Sequence, residues 1–211
     1  MRRVSPQVII EDTISGEEML KKIEKAGRTC YKSENRITTD SAQGFVKFLI
    51  EHGHETVLEH EKVTVRIICD RGVSHEIVRH RIASYSQEST RYCNYGKDKF
   101  GNEITVIDPC FWKGESIEDK QKYEIWEKAM EEAEKAYLKL LALGATPQEA
   151  RSVLPSSLKT EIVITMNLRE WRHFFKLRTS PASHPQMLEV ACSLLNEFKS
   201  RIPVIFDDIV F

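Results

Sequence analysis

Glu161-Ile162-Val163-Ile164-Thr165-Met166-Asn167-Leu168-Arg169-Glu170-Trp171-Arg172-His173-Phe174-Phe175-Lys176-Leu177-Arg178 carries a change of period in one short run. From Glu161 to Met166, Ile162 and Ile164 fall on one side and Val163 and Thr165 on the other, the two-residue alternation of a strand. From about Arg169 to Arg178, Trp171, Phe174 and Phe175 recur at steps of three and four or less, which predicts a helix with an apolar stripe. Arg178 continues that stripe, whereas Arg169 and His173, four apart, mark a polar face.

The same two periods recur outward from this stretch. Val8–Ile10 predicts a short first strand, and Lys62–Cys69 a half-exposed one with Val63, Val65 and Ile67 on one face. Ser15, with Glu18 three residues on, predicts a capping box and a helix running to Gly27. Asp40 caps a second helix whose Phe45, Phe48 and Leu49 share a face, with Gly53 as its stop. Gly72 to about Ile82 reads as a short helix, Ser84–Tyr95 as a loop, and Ile104–Ile107 as a strand. Tyr123, Trp126, Met130, Ala133, Tyr137 and Leu140 form one stripe of a long helix from near Ser116 to Gly144, about 40 Å at ~1.5 Å per residue. Thr146, Pro147 and Glu149 open the next helix as N-cap, N1 and N3, and Leu154-Pro155 closes it. A last helix spans Pro185 to about Ser200. Long helices with scattered strands give an α+β class, read as one domain over residues 1–211.

Composition narrows the function. Lysine plus arginine number 31 against 32 acidic residues, a formal net charge of −1. That balance argues against a general nucleic-acid coat, which needs a large positive excess, and leaves room for a local basic pocket. No stretch approaches the ~18 apolar residues of a membrane span, and the start Met1-Arg2-Arg3-Val4-Ser5-Pro6 has no signal-peptide pattern. Cys30, Cys69, Cys93, Cys110 and Cys192 form no C-x-x-C pair, so neither a zinc ribbon nor a disulfide framework is expected. The expected compartment is the cytoplasm.

The densest chemistry is Arg79-His80-Arg81, followed after seven residues by Ser89-Thr90-Arg91-Tyr92. Cations at a helix end followed by hydroxyls, amides and another arginine make an anion site, because guanidinium groups grip phosphate oxygens in pairs. The tripeptide alone reads more readily as a charge complement to a helix C-terminus, and the hydroxyls, amides and arginine of the loop that follows tip the reading toward a ligand. Arg178 either snorkels or projects into a pocket, and Arg151 is an isolated cation before Leu154-Pro155. His52-Gly53-His54-Glu55-Thr56, with Glu59 and His60, lacks the H-E-x-x-H spacing, so no metal site is expected there. Cys93 lies near the basic cluster, a setting that lowers a thiol pKa, yet no cysteine has a recognisable activated arrangement. Each reads as a structural thiol.

Arg79-His80-Arg81, seven residues, then Ser89 resembles the signature of the flavin-dependent thymidylate synthases. The resemblance extends to His52-Gly53-His54-Glu55-Thr56 with Glu59-His60, to Arg91-Tyr92, to Ala150-Arg151 with Leu154-Pro155, and to Asn167-Leu168-Arg169 leading to Leu177-Arg178 and Ser183-His184-Pro185-Gln186. It covers roughly residues 50 to 190, with the family's landmarks in order. Ser86-Gln87 stands where many members carry Asn-Glu, and Glu76 where glutamine is common.

The resemblance implies a compact α/β domain joined to long helices, in a homotetramer whose active sites are shared between subunits. It implies FAD as cofactor, with dUMP, NADPH and methylenetetrahydrofolate as substrates, and dTMP formed without a cysteine adduct. Carried over residue by residue, His54, Thr56, Arg79, His80, Arg81 and Gln87 resemble flavin contacts, and Asn167, Arg169 and His173 those of a second subunit. Glu76, Arg79, Gln87, Glu88, Ser89, Thr90, Arg91, Arg151 and Arg178 resemble the dUMP site, with Ser89 and Arg91 at the phosphate. Arg178 is similar to the catalytic arginine that polarises the uracil ring. No nucleic-acid or membrane partner is implied. Two rivals remain at this level, a non-catalytic nucleotide-binding subunit and a metal-dependent phosphohydrolase using His52, His54 and His60.

Overall fold

The computed structural model describes residues 1–211. In chain order the elements are β1 (Arg2–Val4), β2 (Gln7–Ile10), α1 (Gly16–Thr29), α2 (Ser41–Glu51), β3 (Lys62–Asp70), α3 (Arg71–Ile77), β4 (Ala83–Gln87), β5 (Thr105–Ile107), α4 (Ile117–Ala142), α5 (Pro147–Ala150), β6 (Lys159–Asn167), α6 (Leu168–Arg178) and α7 (Pro185–Arg201). The mixture is the α+β arrangement that the two periods predict. No helix is long and apolar enough to cross a membrane.

Local chemistry starts most of these helices. Ser116 Oγ accepts the Asp119 amide at 3.0 Å and opens α4, and Gly144, at φ +90°, follows its end in the left-handed region. Glu149 accepts the amide and hydroxyl of Thr146 at 2.8 and 2.6 Å, completing the capping box of α5. Asn167 Oδ1 accepts the Glu170 amide at 2.8 Å, so one side chain ends β6 and begins α6. Removing such a cap costs ~1 kcal/mol.

Six expectations need correction. The first strand is β1, because Arg2–Val4 pairs in parallel with Thr105–Ile107; a three-residue strand with two arginines shows no apolar alternation. At α1, Ser15 does accept the Glu18 amide at 3.4 Å, but the Glu18 carboxylate bonds Lys21. Asp40 makes no side-chain cap bond to α2. The buried face of α2 is Ala42, Val46 and Leu49, and Phe48 is exposed, because the stripe lies one residue around from the largest side chains. Helix α3 stops at Ile77, five residues before the expected end. The Tyr85 hydroxyl donates to the His80 carbonyl at 2.8 Å, turning the chain into β4 within the segment expected to be a loop.

That missed strand alternates in burial, with Ala83, Tyr85 and Gln87 half-buried and Ser84 and Ser86 exposed. Its half-buried side chains are a small alanine, a tyrosine and a glutamine, so hydropathy hides the period. It lies at the edge of a four-stranded sheet ordered β2-β3-β6-β4, where polar strands are tolerated.

The chain divides into two compact units and passes from one to the other within β3, β4 and β6. The first comprises residues 1–7, 67–79 and 86–162. Its core joins Tyr95, Ile104, Val106, Met130, Tyr137, Ala150 and Leu158, so the buried members of the α4 stripe, Met130 and Tyr137, pack on β5 and the loop before it. The second comprises residues 8–66, 80–85 and 163–211. Its core is aromatic. Trp171 stacks on Phe175 at 5.8 Å, Phe175 meets Phe198 at 5.1 Å, and Phe198 meets Phe206 at 5.2 Å. The Trp171 indole N–H finds the Val63 carbonyl at 3.0 Å, which satisfies its one polar atom. Each such ring contributes about 1.5–3 kcal/mol by burial.

Candidate active site

Helix α6 is the organising element of the second unit. Trp171, Phe174 and Phe175 are fully buried, which fixes the rotation of the helix and turns Arg169, His173 and Lys176 outward. Arg172 is also buried and would be an uncompensated charge without its partners. Asp208 accepts two of its hydrogen bonds, at 2.6 and 2.7 Å, Glu55 another at 3.0 Å, and the Ile205 carbonyl a fourth. Arg172 thereby ties the C-terminal segment to the 3₁₀ turn Glu55–His60.

The outward face of α6 borders a cleft of about 430 Å³ lined by Glu55, Glu59, Arg81, Ile82, Asn167, Arg169, Glu170, His173 and Lys176. Four of the residues expected to hold a flavin, Arg81, Asn167, Arg169 and His173, therefore meet in one place. Arg169 is exposed and pairs with Glu59 at 2.6 Å, and Lys176 lies 3.6 Å from Glu55. Such exposed pairs are worth at most ~1 kcal/mol and re-form readily around an anion.

His80 does not line the cleft. It is 4% exposed, with its ring against Phe174 at 4.9 Å and His173 at 5.6 Å. Arg178 Nε–H donates to His80 Nε2 at 3.0 Å. On the other side of the ring, Nδ1 lies 3.4 Å from Glu170 Oε1. Burial first, then the positive charge of Arg178 and the neighbouring His173, pushes the His80 imidazole down to about 4. Burial raises the Glu170 carboxyl, against the opposing effects of His173 and a hydrogen bond from the Arg81 amide. His54 and Thr56 are exposed at the start of the 3₁₀ turn and are not among the cleft-lining residues.

The first unit holds the other candidates. Gln87 Nε2 donates to Ser74 Oγ at 2.9 Å and Thr160 Oγ1 at 3.2 Å, both on fully buried residues. Glu88 accepts from the Tyr95 hydroxyl at 2.8 Å and Lys159 at 2.9 Å. The Lys159 ammonium is raised: burial acts to lower it, but hydrogen bonds to Glu161 and Glu88 prevail. Ser89 Oγ accepts the Arg91 amide at 3.3 Å. Thr90 is buried, and its hydroxyl accepts from Arg151 at 3.5 Å. Arg79, Arg91 and Arg151 are exposed and Glu76 is half-buried. The structure thus brings Thr90 and Arg151 together, while Glu88 is engaged by Tyr95 and Lys159.

Sequence reasoning missed Glu170, Lys176, Glu55 and Glu59 as cleft residues, and Ser74, Thr160, Tyr95 and Lys159 as supports. Glu170 stands three residues from both Asn167 and His173, a helical spacing that would have placed it on their face. The supports come from distant elements and leave no local signal.

The thiols and the histidine cluster bear on the rival readings. Cys93 is raised rather than lowered, by burial and then by Glu88, and burial holds Cys69 and Cys192 up as well. His52 Nδ1 bonds its own helix at the Phe48 carbonyl, 2.8 Å away. The ligand atoms that cluster are those of His80, Glu170 and His173, not those of His52, His54 and His60.

The family model described as thymidylate synthase complementing protein matches residues 10–204. A flavin-dependent thymidylate synthase of Pyrococcus abyssi is 39% identical over 172 residues, 81% of this chain and 68% of its own length. The one from Geobacter sulfurreducens is 34% identical over 190 residues, 87% of this chain and 78% of its own. Among solved structures, the UMP/dUMP methylase PolB from Streptomyces cacaoi, bound with 5-Br dUMP, superposes with a TM-score of 0.82 at 25% identity, covering 98% of this chain and 96% of that one.

Proposed function

The chain belongs to the flavin-dependent thymidylate synthase family, and from that premise we propose that it methylates dUMP reductively to dTMP with FAD as cofactor. Methylenetetrahydrofolate is the one-carbon donor and NADPH the reductant in this reading, and no cysteine acts as nucleophile. The observation that carries it is the meeting of Arg81, Asn167, Arg169 and His173 in one cleft. The donor set fits FAD: Arg81, Arg169 and Lys176 offer positive charge to its phosphates, and Asn167 and His173 offer polar groups to its rings. His54, Thr56, Arg79 and Gln87 complete the proposed flavin contacts, while His80, buried against the His173 ring, takes part by packing on that residue and not by touching the flavin. When bound, FAD supplies the hydride that reduces the transferred one-carbon unit.

The protein's part is binding, orientation and electrostatics. Arg79, Ser89, Thr90, Arg91 and Arg151 take the dUMP phosphate, combining guanidinium forks with hydroxyl and amide donors. Glu76, Gln87 and Glu88 belong to the same nucleotide site. With Nε2 of Gln87 committed to Ser74 and Thr160, its amide oxygen is the atom left for a ligand donor. The Arg178 guanidinium stabilises negative charge that develops toward N3 of the uracil ring, which makes C5 a better carbon nucleophile. Its effect is largest in the transition state, where that charge appears.

The proposal includes one functional domain over residues 1–211, a homotetramer with shared active sites, and a cytoplasmic location. The passage of the chain between its two units in mid-strand supports the first of these. The near-neutral net charge of −1 speaks against a nucleic-acid partner. The test is a visible spectrum of the purified protein followed by an assay. Flavin absorbance together with NADPH- and folate-dependent conversion of dUMP to dTMP is the expected result. A folded protein that stays colourless after incubation with FAD, or one that forms no dTMP, overturns the reading.

A further inference from the structure

Three side chains of the second unit define a protonation pattern. An arginine Nε–H only donates, so His80 Nε2, 3.0 Å from Arg178 Nε, must accept. The neutral imidazole then carries its proton on Nδ1. That nitrogen is buried and makes no hydrogen bond, and the same holds for Glu170 Oε1, which faces it at 3.4 Å. Two orphaned polar atoms, one a donor and one an acceptor, so face each other inside the protein. Buried groups of this kind are rarely left unpaired, and hydrogen bonds of this kind are often long before ligands bind.

We propose that Glu170 is a positioning residue for the reaction, acting through His80 to hold the Arg178 guanidinium in one orientation. This deepens the reading that Arg178 activates the uracil ring, and rests on it. The Glu170 carboxylate accepts from Nδ1–H and fixes the imidazole tautomer and rotation. The fixed Nε2 lone pair then sets the plane of the Arg178 fork. Phe174 closes one edge of the ring, so little water is at hand to replace the carboxylate. His80 is neutral near neutral pH, with its pKa depressed to about 4, so Arg178 at Nε2 and Glu170 at Nδ1 favour the same tautomer from opposite sides of the ring. The helix places Glu170 and Arg178 eight residues apart on α6, with His80 from another segment as the link between them.

The experiment compares wild type with Glu170→Ala and Glu170→Gln, using imidazole nitrogen resonances of His80 in the protein as purified, flavin content, and steady-state dTMP formation. Glu170→Ala should lower kcat about 10–100-fold, the size of effect that follows removal of the group orienting a metal-bound histidine. Turnover is expressed per bound flavin, because Glu170 also lines the cleft, and KM for dUMP should stay within about twofold, because the loss falls on an interaction made mainly in the transition state. The His80 resonances should move from the pure Nδ1–H form to a mixture. Glu170→Gln keeps an acceptor oxygen and should recover most of the turnover and the tautomer. Wild-type kcat and unchanged resonances in Glu170→Ala overturn the proposal, as does a Gln variant no better than Ala. If Glu170→Ala fails to fold, the Gln variant decides alone: a retained tautomer supports the proposal and a mixed one overturns it. Wild-type protein that forms no dTMP sinks the functional reading instead, and the resonances still report on the Glu170–His80 contact.

Discussion

Arg178 and His80, 98 positions apart in sequence, share a hydrogen bond of 3.0 Å from Nε to Nε2. It joins the end of α6 to the segment between α3 and β4. A guanidinium held this way is half-buried and anchored at Nε by a neutral acceptor.

Arg178→Lys should therefore lose most turnover while keeping fold and flavin. Lysine keeps the charge and covers similar apolar surface, but it lacks the planar donor set and the Nε–H that His80 receives. Loss of one preorganised donor to developing charge costs on the order of 10²–10³ in kcat. The measurement is dTMP formation at saturating dUMP, with flavin content read on the same sample. A kcat near wild type would remove Arg178 from the catalytic assignment.

His80 predicts a pH effect on stability. Its folded pKa of about 4 lies below the ordinary 6.5, so between these values the unfolded chain binds more protons than the folded one. Stability then rises with pH through this window, and the contribution is fully present above about pH 6.5 and lost as pH falls toward 4. The ceiling is ~3 kcal/mol, from a shift of this size. Urea unfolding at pH 4.5 and 7 should show a smaller pH difference for His80→Asn than for wild type. Equal differences in the two proteins would contradict the assignment.

A cysteine-free variant, with Cys30, Cys69, Cys93, Cys110 and Cys192 replaced by Ala or Ser, should still form dTMP. Burial raises the thiols of Cys69, Cys93 and Cys192 and keeps them protonated near neutral pH. Stability should fall most at buried Cys69, by about 1–3 kcal/mol. The contrary outcome is a folded, flavin-loaded variant without turnover that one restored cysteine revives.

Arg81 and Arg169 line the same cleft, yet the proposed tetramer assigns them to sites shared between subunits. Mixing Arg81→Ala with Arg169→Ala under conditions of subunit exchange should regenerate some flavin binding if each variant alone is impaired. No recovery, with exchange demonstrated by mass, would restrict each flavin site to a single chain.

The sequence by itself determined the elements whose causes are local. The α4 stripe, the Thr146/Glu149 capping box, the alternation of β3 and β6, and the change from strand to helix ahead of Arg169 are all written in the order of side chains within a few residues. Spacing alone also put Arg178 on the Trp171/Phe174/Phe175 side of its helix, and its bond to His80, whose ring packs on Phe174, agrees with that placing. The signature residues and the family were legible because they are a fixed order of side chains. Tertiary structure decided what distant partners supply. Strand β4 exists because the sheet edge accepts a polar strand, and α3 stops early because the chain turns back at the Tyr85–His80 bond. Gln87 is held by Ser74 and Thr160, and Glu88 by Tyr95 and Lys159. Likewise, only packing of α6 brings Glu170 to the buried face of His80. Such pairings leave no period in the chain, because the free energy that selects them comes from excluding water around groups that meet only after folding.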